Sequence, residues 1–131
     1  MHRREMIPGT LHKSGEDYLE AILVLAQTKG AVRAIDVGNL LNYSRPSVST
    51  AVSTLKDAGY LTVDEGHLLH LTPEGQKIAE KIYERHRFFT NFFIKIGVDA
   101  ETAETDACQM EHAISAESFQ KMKKFLESYM G

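Results

Sequence analysis

The chain of 131 residues has no tryptophan, one cysteine and only three prolines. A single thiol rules out any disulfide within the chain, so the fold rests on burial and hydrogen bonding, and a reducing compartment suits it. Apolar residues make up 43% of the sequence, yet they never run together for the ~20 residues that a membrane-spanning helix needs. The N-terminal stretch "MHRREMIPGTLHKSGED" has basic residues with no apolar run behind them, which is neither a secretory signal nor an anchor. A cytoplasmic location is therefore the expectation, with no membrane partner. Nor is there an excess of positive charge: the formal net charge of −3 offers nucleic acid no bulk attraction. The charge is uneven, however. Residues 1–60 carry seven Lys and Arg against six Asp and Glu, and residues 61–131 carry eight against twelve, so a polyanion would be met by the first half.

What is present is enough hydrophobic and charged residue for one or two small globular domains. "SGEDYLEAILVLAQTKG" places Tyr18, Leu19, Ile22, Leu23, Leu25 and Ala26 close to helical spacing, with Ser14 as a cap and Gly30 as a stop, and predicts a helix over residues 16–28. "RAIDVGNLLNYS" reads as a short second helix with Ile35, Val37, Leu40 and Leu41 inward. "SRPSVSTAVSTLKDAGY" reads as a third, with Pro46 in the first turn, where its missing N–H costs nothing, and Gly59 at the end. Leu61 and Val63 alternate before "DEGH", and Leu69 and Leu71 after it, which predicts a β-hairpin. Three helices followed by a hairpin form a winged helix-turn-helix. Thr72 and Pro73 then open a long helix to about residue 96, and two shorter helices follow over about 100–113 and 116–129. The fold class is thus mainly α with a small β-hairpin: a winged helix-turn-helix over residues 1–74 and an all-helical domain over residues 75–131.

The third helix carries four serines, two threonines and one arginine between Ser44 and Thr54. Val48, Val52 and Leu55 take the inward positions, leaving a face of short hydroxyl donors of the kind that meet phosphates and base edges in a major groove. Ser44, Arg45, Ser47, Ser49, Thr50 and Ser53 are the DNA-binding candidates, and Arg45 is the strongest cation among them. Elsewhere, "TDACQMEHAIS" sets Cys108, Glu111 and His112 at helical spacings of three and four, all of metal-ligand type. From this segment alone, a packed thiol, a solvated carboxylate and a locally bonded imidazole are the favoured account. Asp17 and Glu20 share a face of the first helix. In the long helix His86 falls in the apolar stripe Ile78, Ile82, Phe89, Phe93 and Ile96, where an aliphatic residue belongs.

"EDYLEAI", a winged helix, "RHRFF" and "IGVD…CQMEHAIS", in this order, resemble the diphtheria-toxin-repressor family of metal-dependent transcriptional regulators, nearest its short manganese-responsive branch. The resemblance runs from about residue 14 to the end. It implies a helical metal-binding and dimerisation domain after the winged helix, operator DNA and a second copy of the chain as partners, and no enzymatic activity. The ligand set it implies is Asp17, Glu20, His86, Cys108, Glu111 and His112. "Asp-Tyr-Leu-Glu" is like the manganese branch, whereas Cys108 is like the iron branch and stands where the manganese branch has Glu. An ancillary site of the iron branch would need a carboxylate and an imidazole where this chain has Thr90 and Glu104. A third, SH3-like domain of longer relatives is expected to be missing, and residues 1–13 match no role in the family.

Carboxylate and imidazole donors suit Mn²⁺ or Fe²⁺, a thiolate draws toward Fe²⁺ or Zn²⁺, and Zn²⁺ or Co²⁺ would also bind in vitro. Without a cation, Asp17, Glu20 and Glu111 would repel one another. A divalent ion would reverse this and shift an existing equilibrium toward the DNA-competent form, for which a tenfold to hundredfold dependence needs only about 1.4–3 kcal/mol of coupling. The expected dimer face comprises Ile94 and Ile96; Ala103, Ala107 and Met110; and Phe119, Met122, Phe125 and Leu126. Two other readings stay open: a winged-helix regulator of an organic ligand, and a small zinc hydrolase built on Cys108, Glu111 and His112. Against the second stands the lack of a Gly-rich or nucleophile motif.

Overall fold

A computed structural model describes residues 13–130, so nearly all of the N-terminal stretch that was read for a leader lies outside the described residues. The elements are α1 (Lys13–Thr28), α2 (Ala34–Leu41), α3 (Arg45–Asp57), β1 (Leu61–Val63), β2 (Leu69–Leu71), α4 (Pro73–Lys95), α5 (Ala100–Met110) and α6 (Ala116–Met130). No helix among them is long and apolar enough to cross a membrane. Two compact units divide the chain after Glu80, within α4.

In the first unit, α1 buries Tyr18, Leu19, Ala21, Ile22 and Leu23 and packs on α2, α3 and β2, where Val37, Val48, Leu55 and Leu69 are buried too. Ser44 caps α3 by accepting from the Ser47 N–H at 3.2 Å. The antiparallel register Leu61↔Leu71, Thr62↔His70, Val63↔Leu69 puts all four apolar strand residues on the core face. Asp64 closes the turn: its Oδ1 accepts from the N–H groups of Gly66 and Leu68, each at 2.9 Å. Its Oδ2 lies 2.9 Å from His70 Nε2, and this bond, with the backbone donors, holds the Asp64 carboxyl below the usual carboxylate range. Arg33 Nη1 donates to the Gly66 carbonyl at 2.7 Å and steadies the tip.

Two residues expected inward are not. Ile35 is 52% exposed and Leu40 51%, while Val37 is fully buried. At roughly 100° per residue the contact face of α2 centres between Val37 and Gly38, and Ile35 and Leu40 each fall on its flanks. Gly38 sets that face, because a Cβ there would lie 3.3 Å from both Tyr43 O and Val48 Cγ2.

The second unit is built on Phe89 of α4, Ala107 of α5 and Phe119 of α6, with Phe88, Phe93, Ile114 and Met122 packed around them. Phe88 meets Phe119 edge to face, with ring centres 5.4 Å apart. Ala103, Ala107 and Phe119, expected on a dimer face, therefore fill the unit's own core, since three short helices need those small and aromatic groups for themselves. Ile94, Ile96, Met110 and Phe125 remain exposed. Ile96 leaves the apolar stripe because α4 stops at a Schellman motif: Gly97, at φ +102, donates to Ile94 O at 3.0 Å, and Val98 donates to Phe93 O at 2.8 Å.

The start of α4 is locked to the hairpin. Thr72 Oγ1 accepts from the Gly75 N–H at 3.1 Å and donates to Gly59 O at 2.7 Å, while the Thr72 N–H donates to Tyr60 O at 3.1 Å. A Cβ on Gly75 would sit 2.0 Å from that same Tyr60 oxygen. Gly75→Ala is expected to lower stability by about 1–3 kcal/mol in urea denaturation. Gly66→Ala, whose Cβ meets nothing nearer than 3.5 Å, should stay within about 0.5 kcal/mol of the unmodified chain.

Candidate metal centre

In the second unit one carboxylate is held between two imidazoles. Glu111 is fully buried; its Oε1 lies 2.8 Å from Nδ1 of His86, and its Oε2 lies 3.2 Å from Nε2 of His112, whose side chain is 5% exposed. His86 projects from α4 at the stripe position singled out above. Cys108, a half-buried free thiol, sits one turn before Glu111 on α5.

The local backbone differs from the expectation of one continuous helix to residue 113. Asp99 caps α5, accepting from Glu101 N at 3.1 Å, but the helix ends at Met110, with Glu111 as its C-cap and His112 in the following turn. The Ala113 N–H reaches back only to Met110 O, at 3.0 Å, a tightening common where a helix stops. His112 reaches the carboxylate from this turn and not from a shared helical face.

On α1 in the first unit, Asp17 is buried and pairs with Lys13 Nζ at 3.0 Å. Glu20, one turn on, is half-buried. The structure thus brings His86, Glu111 and His112 together in one unit and keeps Asp17 and Glu20 adjacent in the other. Thr90 and Glu104 differ in burial: Thr90 Oγ1 is buried with no hydrogen-bond partner among the described residues, and Glu104 is exposed. Two imidazole nitrogens, a carboxylate and a nearby thiol are a donor set that fits a divalent first-row cation.

Every DNA-binding candidate on and beside α3 is exposed: Ser44, Arg45, Ser47, Ser49, Thr50 and Ser53. The Ser44 and Ser47 hydroxyls are also tied to each other at 2.9 Å, so this pair stiffens the start of α3. Sequence reasoning passed over Arg85. It lies in the same apolar stripe as His86, three residues after Ile82 and four before Phe89, and that placement of a charge was the available signal.

Two family models match the chain. Residues 10–67 match the iron dependent repressor N-terminal DNA binding domain, and residues 72–130 the iron dependent repressor metal binding and dimerisation domain. The transcriptional regulator MntR of Salmonella typhimurium is 34% identical over 128 residues, covering 98% of this chain and 76% of that protein. The chain belongs to the diphtheria-toxin-repressor family. This is a family of transcriptional regulators and not of enzymes. Among solved members, the manganese regulator SloR superimposes with a TM-score of 0.78 at 26% identity, covering 86% of this chain and 53% of that one. IdeR of T. acidophilum gives a TM-score of 0.72 at 27% identity, covering 91% and 55%. The chain therefore spans about half the length of these two solved regulators.

A buried carboxylate that bridges two imidazoles carries stability as well as chemistry. Glu111→Gln keeps the shape and loses the charge, and is expected to cost the metal-free protein about 1.5–3 kcal/mol in urea denaturation, with Glu111→Ala costing more because it also opens a cavity.

Proposed function

We propose that this chain is a metal-activated, DNA-binding transcriptional repressor of metal-uptake genes, acting in the cytoplasm as a homodimer on operator DNA. The carrying observation is the Glu111 carboxylate, shut away from solvent between His86 and His112. Carboxylates that serve packing or solubility are seldom fully buried, and this one is flanked by donors of the type that ligate Mn²⁺ or Fe²⁺. Cys108 and the α1 acids Asp17 and Glu20 complete the proposed donor set. When bound, the ion supplies positive charge that offsets the repulsion among Asp17, Glu20 and Glu111.

The chain's own residues do the rest. Residues 1–74 form the reading domain, in which α3 presents Arg45 and the short hydroxyls of Ser44, Ser47, Ser49, Thr50 and Ser53 to the duplex. Residues 75–131 form the metal-binding and dimerisation domain. Its exposed Ile94, Ile96, Met110 and Phe125 are the apolar groups a second copy would cover. Two heads on one dimer would read two half-sites.

One observation favours a second reading, a regulator of an organic ligand. A cavity of about 400 Å³ opens between α2, α3 and the hairpin, lined by Ile35, Val48 and Val52 together with the polar Asn39, Arg45, Ser49 and His67, and its size suits a small molecule with apolar and polar groups.

Retention of operator DNA in a gel decides between them. The metal reading expects retention with Mn²⁺ or Fe²⁺ and its loss in excess chelator; equal retention in both would reject it. Glu111→Ala should abolish the metal-dependent part, and a regulator of an organic ligand would be indifferent to that change. Arg45→Ala should leave metal binding intact and weaken DNA binding by about tenfold to a hundredfold, as for a lost contact to a base.

A further inference from the structure

Arg85 and His86 are neighbours on α4, and both reach Glu111, at opposite ends of that residue. His86 addresses the carboxylate at 2.8 Å. Arg85 Nη1 donates to the main-chain oxygen of Glu111 at 3.3 Å and to that of Ile114 at 2.6 Å. The guanidinium carbon lies 5.3 Å from the centre of the Phe119 ring. Arg85 is only 5% exposed, so its charge is withdrawn from water, and its Nε–H has no hydrogen-bond partner among the described residues.

A buried guanidinium with one donor unsatisfied works against stability. For packing alone, an aliphatic residue in this stripe would serve better. What Arg85 does that an aliphatic residue would not is accept the field of the α5 C-terminus and hold the carbonyl of its C-cap, Glu111, together with that of Ile114 in the connection beyond it. Those carbonyls bracket His112.

We propose that Arg85 is a positioning residue for the metal centre. By gripping the carbonyls of Glu111 and Ile114 it ends α5 after Met110 and fixes the turn from which Glu111 and His112 meet His86. The role rests on the metal reading above. It calls for a guanidinium, whose Nη1 alone donates to both carbonyls while its carbon lies over the Phe119 ring, as the compact ammonium of lysine does not.

The test compares Arg85→Lys, Glu111→Gln and the unmodified full chain. Affinity for Mn²⁺ is read from the spin-resonance signal of the free ion, alongside the melting of the metal-free proteins and the amide exchange of residues 111–115. Arg85→Lys should melt within about 5 °C of the unmodified protein, exchange faster at residues 111–115, and bind Mn²⁺ at least about tenfold more weakly. Binding within about twofold of the unmodified protein, with Glu111→Gln impaired, overturns the positioning role and leaves the metal reading standing. Unimpaired binding in both variants overturns the metal reading itself. If Arg85→Lys fails to fold, nitrogen resonance of the guanidinium in the unmodified chain decides. Separate Nη signals, from hindered rotation, support the clamp; one averaged signal overturns it.

Discussion

Removing a carboxylate from water is among the costlier things a small protein does, and here Glu111 is removed completely. The cost is tolerable only if fixed partners replace the lost hydration. An imidazole nitrogen lies beside each oxygen, that of His86 at 2.8 Å and that of His112 at 3.2 Å, and the second unit is organised to bring them there. α4 spends a position of its apolar stripe on His86, and the turn after α5 supplies His112. Phe89, Ala107 and Phe119 form the packed core of the same unit. A sequence selected for stability alone would place aliphatic residues where the polar cluster stands. That it does not is the kind of local departure from packing rules that marks functional sites.

The first unit handles its polar groups differently. Asp17 sits on a helix whose next two residues, Tyr18 and Leu19, are core, so its position is fixed by their packing. The proposed reading surface is also mounted on braced parts: α3 is capped by Ser44, and the hairpin turn is closed by Asp64 and braced by Arg33. The candidate side chains of both units thus stand on backbones held by something else, which would limit the ordering cost of binding.

The order of elements was legible because each boundary has its own local chemistry. Ser44 and Pro46 open α3, Gly59 closes it, Thr72 and Pro73 open α4, and the alternation of Leu61, Val63, Leu69 and Leu71 fixes which strand face is buried. His86 was conspicuous as a polar residue in an apolar stripe. What escaped was set by contacts distant in sequence. The end of α5 depends on Arg85, which lies more than twenty residues away, so spacing alone could not separate His112 from the helix that carries Cys108. The exposure of Ile35 and Leu40 follows from the approach of α2 through Gly38, and the apolar pattern of eight residues is too short to specify a face. In the same way, Ala103, Ala107 and Phe119 could serve a core or an interface by composition alone.

Helix α5 turns only methyl groups inward, from Ala103 and Ala107. Close approach to its neighbours is the gain, but it contributes little apolar area of its own to resist fraying. Peeling this one helix away costs less than dismantling the three-phenylalanine cluster of Phe88, Phe89 and Phe119, which would stay packed. The backbone that carries Glu111 and His112 can thus open sub-globally, at a lower cost than unfolding the chain.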